Sequence, residues 1–276
     1  MSASPARGGR RAAGAVPRVR VAPARIQSVA RAAALLEGLA HGDWVGLGEL
    51  AAATGLAKTT AFSLVTALVD TGLAERDAAR GAYRLGLRHF GYGKAVERRL
   101  ELGLTARPVL LGLLAETNET VNLAIPQPTD ALIVESLEGA QGVRVTSYAG
   151  TRARYHCTAC GRVLFAHKSL AERQAIYALG PLTAATAHTT TAPEAIERLL
   201  ARCRRDGFAA EREENELGAH CVAAPVFGPA GGVIAAVSVA GPKSRMDLQR
   251  IERIGRLLKE RLALIFDRRG EAVVRR

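Results

Sequence analysis

The chain has 276 residues, enough for two domains, and with 48% hydrophobic residues most of it is expected to fold. The sequence has no window of about 18 uninterrupted apolar residues, which argues against a transmembrane helix. No apolar stretch follows the N-terminal arginines, which argues against a secretory signal. The four cysteines are too few for a disulfide framework. The formal net charge of +12 favours a polyanionic partner without requiring one. These features predict a cytoplasmic protein with no membrane contact.

Residues 1–24 are rich in Ala, Arg, Gly and Pro, and they are predicted to be a disordered basic tail. The first 25 residues hold six arginines and no acid, whereas residues 26–95 carry a formal charge of only +1. The basic excess is therefore concentrated in the tail. The tail could be a solvated leader or an arm that attracts phosphates without sequence preference, and the solvated leader is the commoner case.

Residues 25–88 show the pattern of a winged helix-turn-helix domain. A first helix is predicted from Ile26, with Ser28 as its N-cap. Two further helices, 47–54 and 58–70, are separated by a turn at Gly55, and Gly72 follows as a C-cap glycine. Short strands at 73–76 and 82–85 predict a hairpin wing. The residues predicted to face the core from the first helix are Val29, Ala33, Leu36 and Ala40.

The helix over 58–70 is the predicted DNA-reading element, because a major-groove helix reads bases with the outward residues of its first turns. Lys58 can meet a phosphate or a guanine edge, and Thr59 and Thr60 can bond phosphates or touch thymine methyls. The same helices could instead form a three-helix subdomain for protein contacts. The candidate DNA-binding residues are Lys58, Thr59, Thr60, Phe62, Ser63, Thr66, Arg76, Arg80 and Arg84.

Residues 89–272 are predicted to hold a linker helix and a larger domain. The linker helix runs over 89–107, and Pro108 is expected in the first turn of the next helix, which ends near residue 117. Strands are predicted at 120–125, 132–137, 143–148, 222–227 and 232–240, and helices at 163–167, 170–179, 192–206 and 247–267. Because strands and helices interleave without a strict βαβ repeat, the fold class is α+β.

Several motifs resemble the IclR family of bacterial transcriptional regulators, over a span from about Ile26 to Asp267. The motifs are residues 28–32, 55–60, 68–73, 83–86, 119–124 and 156–161, and most specifically Gly207, Glu214, Cys221, Val226, Phe227 and Gly228. The resemblance implies a winged helix-turn-helix joined to a GAF-like effector-binding domain. It also implies dimers or tetramers, palindromic operators, and small organic acids or aromatic compounds as effectors.

The resemblance further implies an effector pocket, in which backbone amides and a few side chains hold a small acid. Converging N–H groups suit a carboxylate, and a serine hydroxyl adds a donor. The candidate effector-binding residues are Ala159, Cys160, Glu211, Cys221, Ser238 and Ala240. Glu211 stands where the family has Asp or Ser, and Ala240 replaces a serine of some relatives. We therefore expect a pocket less suited to a very small, doubly polar acid, although each residue could also be ordinary core.

Three other interpretations are open. Cys157 and Cys160 form a C-x2-C pair that could bind zinc, but the second pair, His220 and Cys221, is adjacent in sequence and poorly spaced. Cys157 beside His156 could serve a cysteine-dependent hydrolase, but no third group marks one. The chain could also be a small-molecule-binding protein that has lost DNA binding, because Phe62, Ser63 and Thr66 stand where the family often has His and Arg.

The sequence thus favours a regulator whose binding to an operator is modulated by a small organic effector. We expect no catalytic residue, no metal and no cofactor. The expected partners are double-stranded DNA with a palindromic operator, the effector, and further copies of the chain in a homodimer or homotetramer. Ligand binding would then change the spacing of the paired DNA-binding domains.

Overall fold

The computed structural model describes residues 24–97 and 101–266, together with residues 16, 18 and 19. The chain divides into two compact units between residues 99 and 100, whereas the expected limits, 25–88 and 89–272, stay predictions. The expected tail over 1–24 lies mostly outside the described residues. Within it, Val19 is buried, and its amide donates to the carbonyl of Ala53 at 2.9 Å, so the chain is anchored at that residue.

The first unit is a winged helix-turn-helix, as predicted. Its elements are α1 (Gln27–Ala40), β1 (Val45–Gly46), α2 (Leu47–Thr54), α3 (Lys58–Asp70), β2 (Ala74–Asp77), β3 (Ala82–Leu85) and α4 (Arg88–Glu97). The three strands form an antiparallel sheet in the order β1-β3-β2. Gly55 ends α2 with a positive φ of 68°, which permits the tight turn into α3.

Two details of α1 correct the predictions. Ser28 lies inside the helix, and the N-cap is Ile26, which makes no side-chain cap. The buried face carries Leu35 and Leu39 with Ala34 and Gly38, whereas Val29 is 63% exposed. The helix is so rich in alanine and leucine that two faces have apolar spacing. The leucines that contact α2 and α3 determine which of the two is buried.

The second unit contains a six-stranded antiparallel sheet and five helices among its described residues. The strands, in the order β6-β5-β4-β9-β8-β7, are β4 (Thr120–Pro126), β5 (Asp130–Leu137), β6 (Arg152–Arg154), β7 (Ala209–Arg212), β8 (Ala219–Phe227) and β9 (Val233–Pro242). The helices are α5 (Glu101–Thr117), α6 (Ala159–Ala166), α7 (Leu170–Tyr177), α8 (Pro193–Asp206) and α9 (Leu248–Leu262). Mixed helix and sheet without a βαβ repeat confirm the α+β class.

The two faces of this sheet differ in side-chain size. Large residues, such as Leu123 and Val237, face α5 and α9, and they form one buried cluster. Small residues, such as Ala124, Ala223 and Ala236, face α6 and α8. Alternation along each strand produces this separation, because successive side chains point to opposite faces. The face toward α6 therefore has room for a cavity.

Three predictions for this unit are wrong. Residues 143–148 form no strand, and two short strands, β6 and β7, were not predicted. Pro108 lies in the interior of α5 rather than in its first turn.

No single helix among the described residues has the length and apolarity to span a membrane, and α2 and α3 meet that criterion only as a pair bent by 111°.

Candidate functional site

The candidate DNA-binding surface of the first unit is the outer side of α3. Ala61, Val65 and Leu68 are buried on the inner side, and they fix the rotation of the helix. The Ser63 hydroxyl donates to the carbonyl of Thr59 at 3.1 Å, and so it remains an acceptor. Of the α3 candidates, Lys58, Thr59, Phe62 and Ser63 are exposed, and Thr60 and Thr66 are half-buried.

The three wing arginines differ in how far their charges are neutralised. Arg76 is exposed and forms no ion pair with any described residue. Arg80 lies 3.4 Å from the carboxylate of Asp77. Arg84 donates twice to Glu75, at 2.6 and 2.8 Å, and lies over the Trp44 ring at 4.6 Å. Arg76 is therefore the wing cation best placed to meet a phosphate.

A cavity of about 290 Å³ lies on the α6 side of the sheet in the second unit. We call it the effector cavity. The loop over 143–148, predicted as a strand, forms part of its wall. Hydroxyls from the sheet hold this loop, because Thr120 donates to the carbonyl of Val145 and Ser136 to that of Ser147. All six predicted effector residues line the cavity: Ala159, Cys160, Glu211, Cys221, Ser238 and Ala240.

The first turn of α6 borders the cavity with two buried backbone amides. Thr158 is the N-cap, and its hydroxyl accepts from the amide of Gly161 at 3.0 Å. The amides of Ala159 and Cys160 donate to no partner within the described residues. Unpaired N–H groups at a helix N-terminus carry partial positive charge and bind anions. This turn therefore provides two donors for an anionic group.

Glu211 is a buried carboxyl group at the cavity wall, only 3% exposed. One oxygen accepts from the amides of Glu214 and Asn215, at 2.5 and 3.0 Å. Burial raises the pKa of Glu211 to about 7, because desolvation outweighs these two hydrogen bonds and the nearby Arg162. The carboxyl is therefore partly protonated at neutral pH.

Two thiols and a hydroxyl lie together beside Glu211, which is the register partner of Cys221 across β7 and β8. The Ser238 hydroxyl contacts the sulfurs of both Cys160 and Cys221. Burial raises the pKa of Cys160 to about 12, and it raises the pKa of Cys221 as well, so both remain thiols. Cys221 is the register partner of Ala240 across β8 and β9, so Ala240 belongs to the same patch as Cys160, Cys221 and Ser238.

The cavity also contains residues that the sequence did not indicate. Asn122 on β4 is 5% exposed, and its register partner on β9 is Ser238. Tyr148, Arg152 and Asn215 line the cavity as well. Asn122 could have been noticed as a polar residue at an inward position of a buried strand. The other three come from segments whose position depends on the tertiary fold.

The geometry around Cys157 does not match a catalytic dyad. Its sulfur lies 3.8 Å from Asn215 Oδ1, and burial raises the pKa of this thiol. His156 Nε2 is 3.0 Å from the carbonyl of Thr183, and burial lowers the pKa of the imidazole. A thiol nucleophile needs a base within hydrogen-bonding reach.

Among the described residues, no group of three or more His, Cys, Asp or Glu side chains could hold a metal ion.

A second cavity, of about 430 Å³, lies near the ends of α8 and α9. Phe227 and Leu262 contribute to its walls, as do the cations Arg204 and Lys259. Arg204 donates to the carbonyl of Ala166, and Lys259 to that of Asp206, each at 2.8 Å. These cations already cap the C-terminal ends of α6 and α8. The effector cavity is therefore the better candidate for an anionic ligand.

Two family profiles match the chain. One is described as "Bacterial transcriptional regulator IclR C-terminal" and matches residues 94–264. The other is described as "IclR helix-turn-helix domain" and matches residues 28–78. Among curated relatives, the HTH-type transcriptional regulator BhcR of Paracoccus denitrificans is 32% identical over 82% of this chain and 81% of its own length.

Solved structures share the architecture. An IclR transcriptional regulator from Alicyclobacillus acidocaldarius aligns with a TM-score of 0.73 and 26% identity, over 87% of this chain and 97% of that one. An IclR homolog from Microbacterium hydrocarbonoxydans, complexed with 4-hydroxybenzoate, aligns with a TM-score of 0.69 and 26% identity, over 86% and 96%. Both units thus have counterparts in the same relatives.

Proposed function

The chain belongs to the IclR family of bacterial transcriptional regulators, and we propose that a small organic carboxylate bound in the effector cavity controls its binding to DNA. It is a DNA-binding transcriptional regulator with a C-terminal ligand-binding domain. The observation that supports the proposal best is the pair of unpaired amides of Ala159 and Cys160, which border a cavity in that domain.

The chemistry of the cavity suits an organic acid better than a neutral or cationic ligand. A carboxylate would accept hydrogen bonds from the two α6 amides and from the Ser238 hydroxyl. The cavity of about 290 Å³ lies near the lower end of the range for small-molecule sites, roughly 300–1,000 Å³, which suits a small acid with a single ring. Because a relative's structure contains 4-hydroxybenzoate, we include aromatic acids among the probes.

On the DNA side, we propose that α3 enters the major groove. Lys58 and Thr59 would contact phosphates and base edges, and Phe62 would contact thymine methyls. Arg76 would bind the backbone beside the groove. We further propose a palindromic operator read by a homodimer or homotetramer in the cytoplasm. The remaining candidates, Thr60, Ser63, Thr66, Arg80 and Arg84, would have supporting roles.

We infer that the chain has no catalytic activity. His156 is bonded to the Thr183 carbonyl, and Cys157 is a buried thiol, so this neighbouring pair lacks the arrangement of a nucleophile and its base. Because the relatives are regulators, the simplest function for the cavity is sensing.

The test is a DNA-binding titration by fluorescence anisotropy. Labelled DNA from upstream of the chain's own gene is titrated at low salt, with and without pyruvate, benzoate or 4-hydroxybenzoate. We expect at least one acid to shift the midpoint. The shift should shrink in Ser238→Ala and persist in Ser244→Ala, an exposed serine outside the cavity lining.

Two outcomes would count against the proposal. DNA binding that no acid alters at millimolar concentration would refute control by a carboxylate. Absence of DNA binding in every condition, with acid binding still detectable by calorimetry, would favour a small-molecule-binding protein that has lost DNA binding.

A further inference from the structure

The second cavity, of about 430 Å³, lies at the opposite end of α6 from the effector cavity. The first turn of α6 borders the effector cavity, and His167, which follows the last turn, lines the second one. At about 1.5 Å per residue, the eight residues of α6 span roughly 12 Å between them. The second cavity is therefore a distinct space, and its volume lies within the usual range for small-molecule sites.

The charged groups that line the second cavity are cations. Arg204 and Lys259 line it, and no Asp or Glu does so among the described residues. Neither cation forms an ion pair with a described residue, because each donates to a helix carbonyl instead. Asp206, two residues after Arg204, is already paired with Arg202 and Arg205. The two cations therefore lack a carboxylate partner.

Each of these cations has N–H groups left for a ligand. Arg204 uses one to cap the carbonyl of Ala166, and Lys259 uses one to cap that of Asp206. A guanidinium and an ammonium each have further donors. A helix C-terminus carries about half a negative charge and each cation a full positive one, so about one positive charge remains uncompensated. The cavity therefore attracts anions.

Gly207 permits the Lys259 side chain to cross the end of α8. This glycine ends the helix as its C-cap, with a positive φ of 79°. A Cβ at Gly207 would lie 2.8 Å from Lys259 Cε, which is closer than packing allows. The position of Lys259 at the cavity is therefore built into the end of the helix.

Much of the remaining wall is apolar. Phe227 is 50% exposed, and its ring meets that of His167 edge to face, with the centroids 5.9 Å apart. Leu262 and Phe266 add further apolar surface. Exposed aromatic surface beside uncompensated cations favours a ligand with an apolar body and an anionic group. The body would bury the phenyl surface, and the anion would pair with the cations.

We propose that the second cavity is a binding site for an amphipathic organic anion. Its carboxylate pairs with Arg204 and Lys259, and its apolar chain or ring packs against Phe227. The site is separate from the effector cavity and does not depend on the proposed function. A small hydrophilic acid has no body to cover Phe227, and a neutral apolar molecule leaves the cations unpaired. Octanoate has both parts and is the probe.

The experiment is calorimetry on the full chain with octanoate, hexanoate and octan-1-ol. We expect octanoate to bind the wild type. Hexanoate should bind about two- to fourfold more weakly for each methylene removed, because less apolar surface is buried. Octan-1-ol should bind about tenfold more weakly than octanoate, because it lacks the charge that pairs with the cations.

The double variant Arg204→Gln with Lys259→Gln removes both charges, and glutamine can still donate to the helix carbonyls. We expect its octanoate affinity to fall about tenfold or more and its octan-1-ol affinity to change less than about twofold. The matched control is Arg198→Gln with Arg253→Gln, since these exposed cations lie on the same two helices outside the cavity. It should bind octanoate as the wild type does.

A second variant, Phe227→Ala, tests the apolar part independently. It removes the half-exposed ring from the cavity wall, and it should weaken octanoate binding about fivefold or more. Thermal unfolding shows that each variant is folded. If the double variant does not fold, Phe227→Ala and the comparison of octanoate with octan-1-ol decide.

Four results would overturn the proposal. The first is an absence of octanoate binding to the wild type. The second is undiminished octanoate binding in a folded variant, and the third is equal affinity for octanoate and octan-1-ol. The fourth is a change of oligomeric state in the double variant, measured by light scattering, with no octanoate bound by the wild type, which would make the cavity a contact between copies of the chain. None of these results touches the control of DNA binding through the effector cavity, which has its own test.

Discussion

Replacing Glu211 by glutamine is expected to change how stability depends on pH. The pKa of Glu211 is about 7 in the folded chain, against an ordinary value of 4.5, because burial disfavours the ionised carboxyl. The folded state therefore binds the proton more tightly than the unfolded state does. The stabilising contribution is fully present below pH 4.5, and it is lost as the pH rises through 7.

The magnitude follows from the two pKa values. Their difference corresponds to about 3 kcal/mol of unfolding free energy, of which about 2–3 kcal/mol is lost between pH 5 and 8. Glutamine stays neutral, and its oxygen can still accept from the amides of Glu214 and Asn215. The stability of Glu211→Gln relative to the wild type should therefore rise by that amount over this range.

The assay is urea unfolding followed by far-ultraviolet circular dichroism at pH 5, 6, 7 and 8. Glu213→Gln is the control, because the ion pair with Lys243 lowers the pKa of Glu213. Its stabilising effect is present above pH 4.5 and is lost only at lower pH, so Glu213→Gln should differ from the wild type by a nearly constant amount from pH 5 to 8. A difference between Glu211→Gln and the wild type that stays constant within about 0.5 kcal/mol would refute the reasoning.

Three other predictions concern ligand binding, stability and DNA binding. Ionised Glu211 repels a carboxylate, so calorimetry should show that benzoate binds the wild type several-fold more tightly at pH 6 than at pH 8. Glu211→Gln should show no such change. Equal wild-type affinities at the two pH values would contradict this prediction. Arg162 is 2% exposed and forms an ion pair with Glu214 at 2.8 Å. Arg162→Met should therefore lower the unfolding free energy measured in urea titrations by about 3–5 kcal/mol. A loss under about 1 kcal/mol would be evidence against a buried pair. Lys58→Ala should weaken DNA binding for all sequences. In anisotropy titrations, it should reduce the slope of the logarithm of the binding constant against the logarithm of the salt concentration by about 1. An unchanged slope would exclude a phosphate contact.

Local signals in the sequence were enough to predict most of the first unit. The helices over 47–54 and 58–70 have their predicted bounds, because glycines in left-handed conformations mark where they end. The wing strands lie within one residue of their predicted positions. Periodicity could not fix which face of α1 is buried, because Leu35 and Leu36 offer two alternatives and only tertiary contacts choose Leu35.

The effector cavity was predictable only in part. Its six predicted residues follow from the resemblance to a family, and the structure gathers them around one space. The loop over 143–148 has the composition of a strand, but hydroxyls of Thr120 and Ser136 hold its carbonyls instead of a ladder. Asn122 was missed because its place in the cavity wall is a property of the packed structure.

The small side chains on the α6 side of the sheet make the ligand range of this protein adjustable. Ala219 and Ala240 line the cavity, so enlarging either to valine would reduce the space without removing the α6 amides. The loop over 143–148 has no ladder partner, and its length can be changed without breaking the sheet. A biosensor for a chosen acid could therefore be built by varying these positions while the DNA-reading unit is kept unchanged.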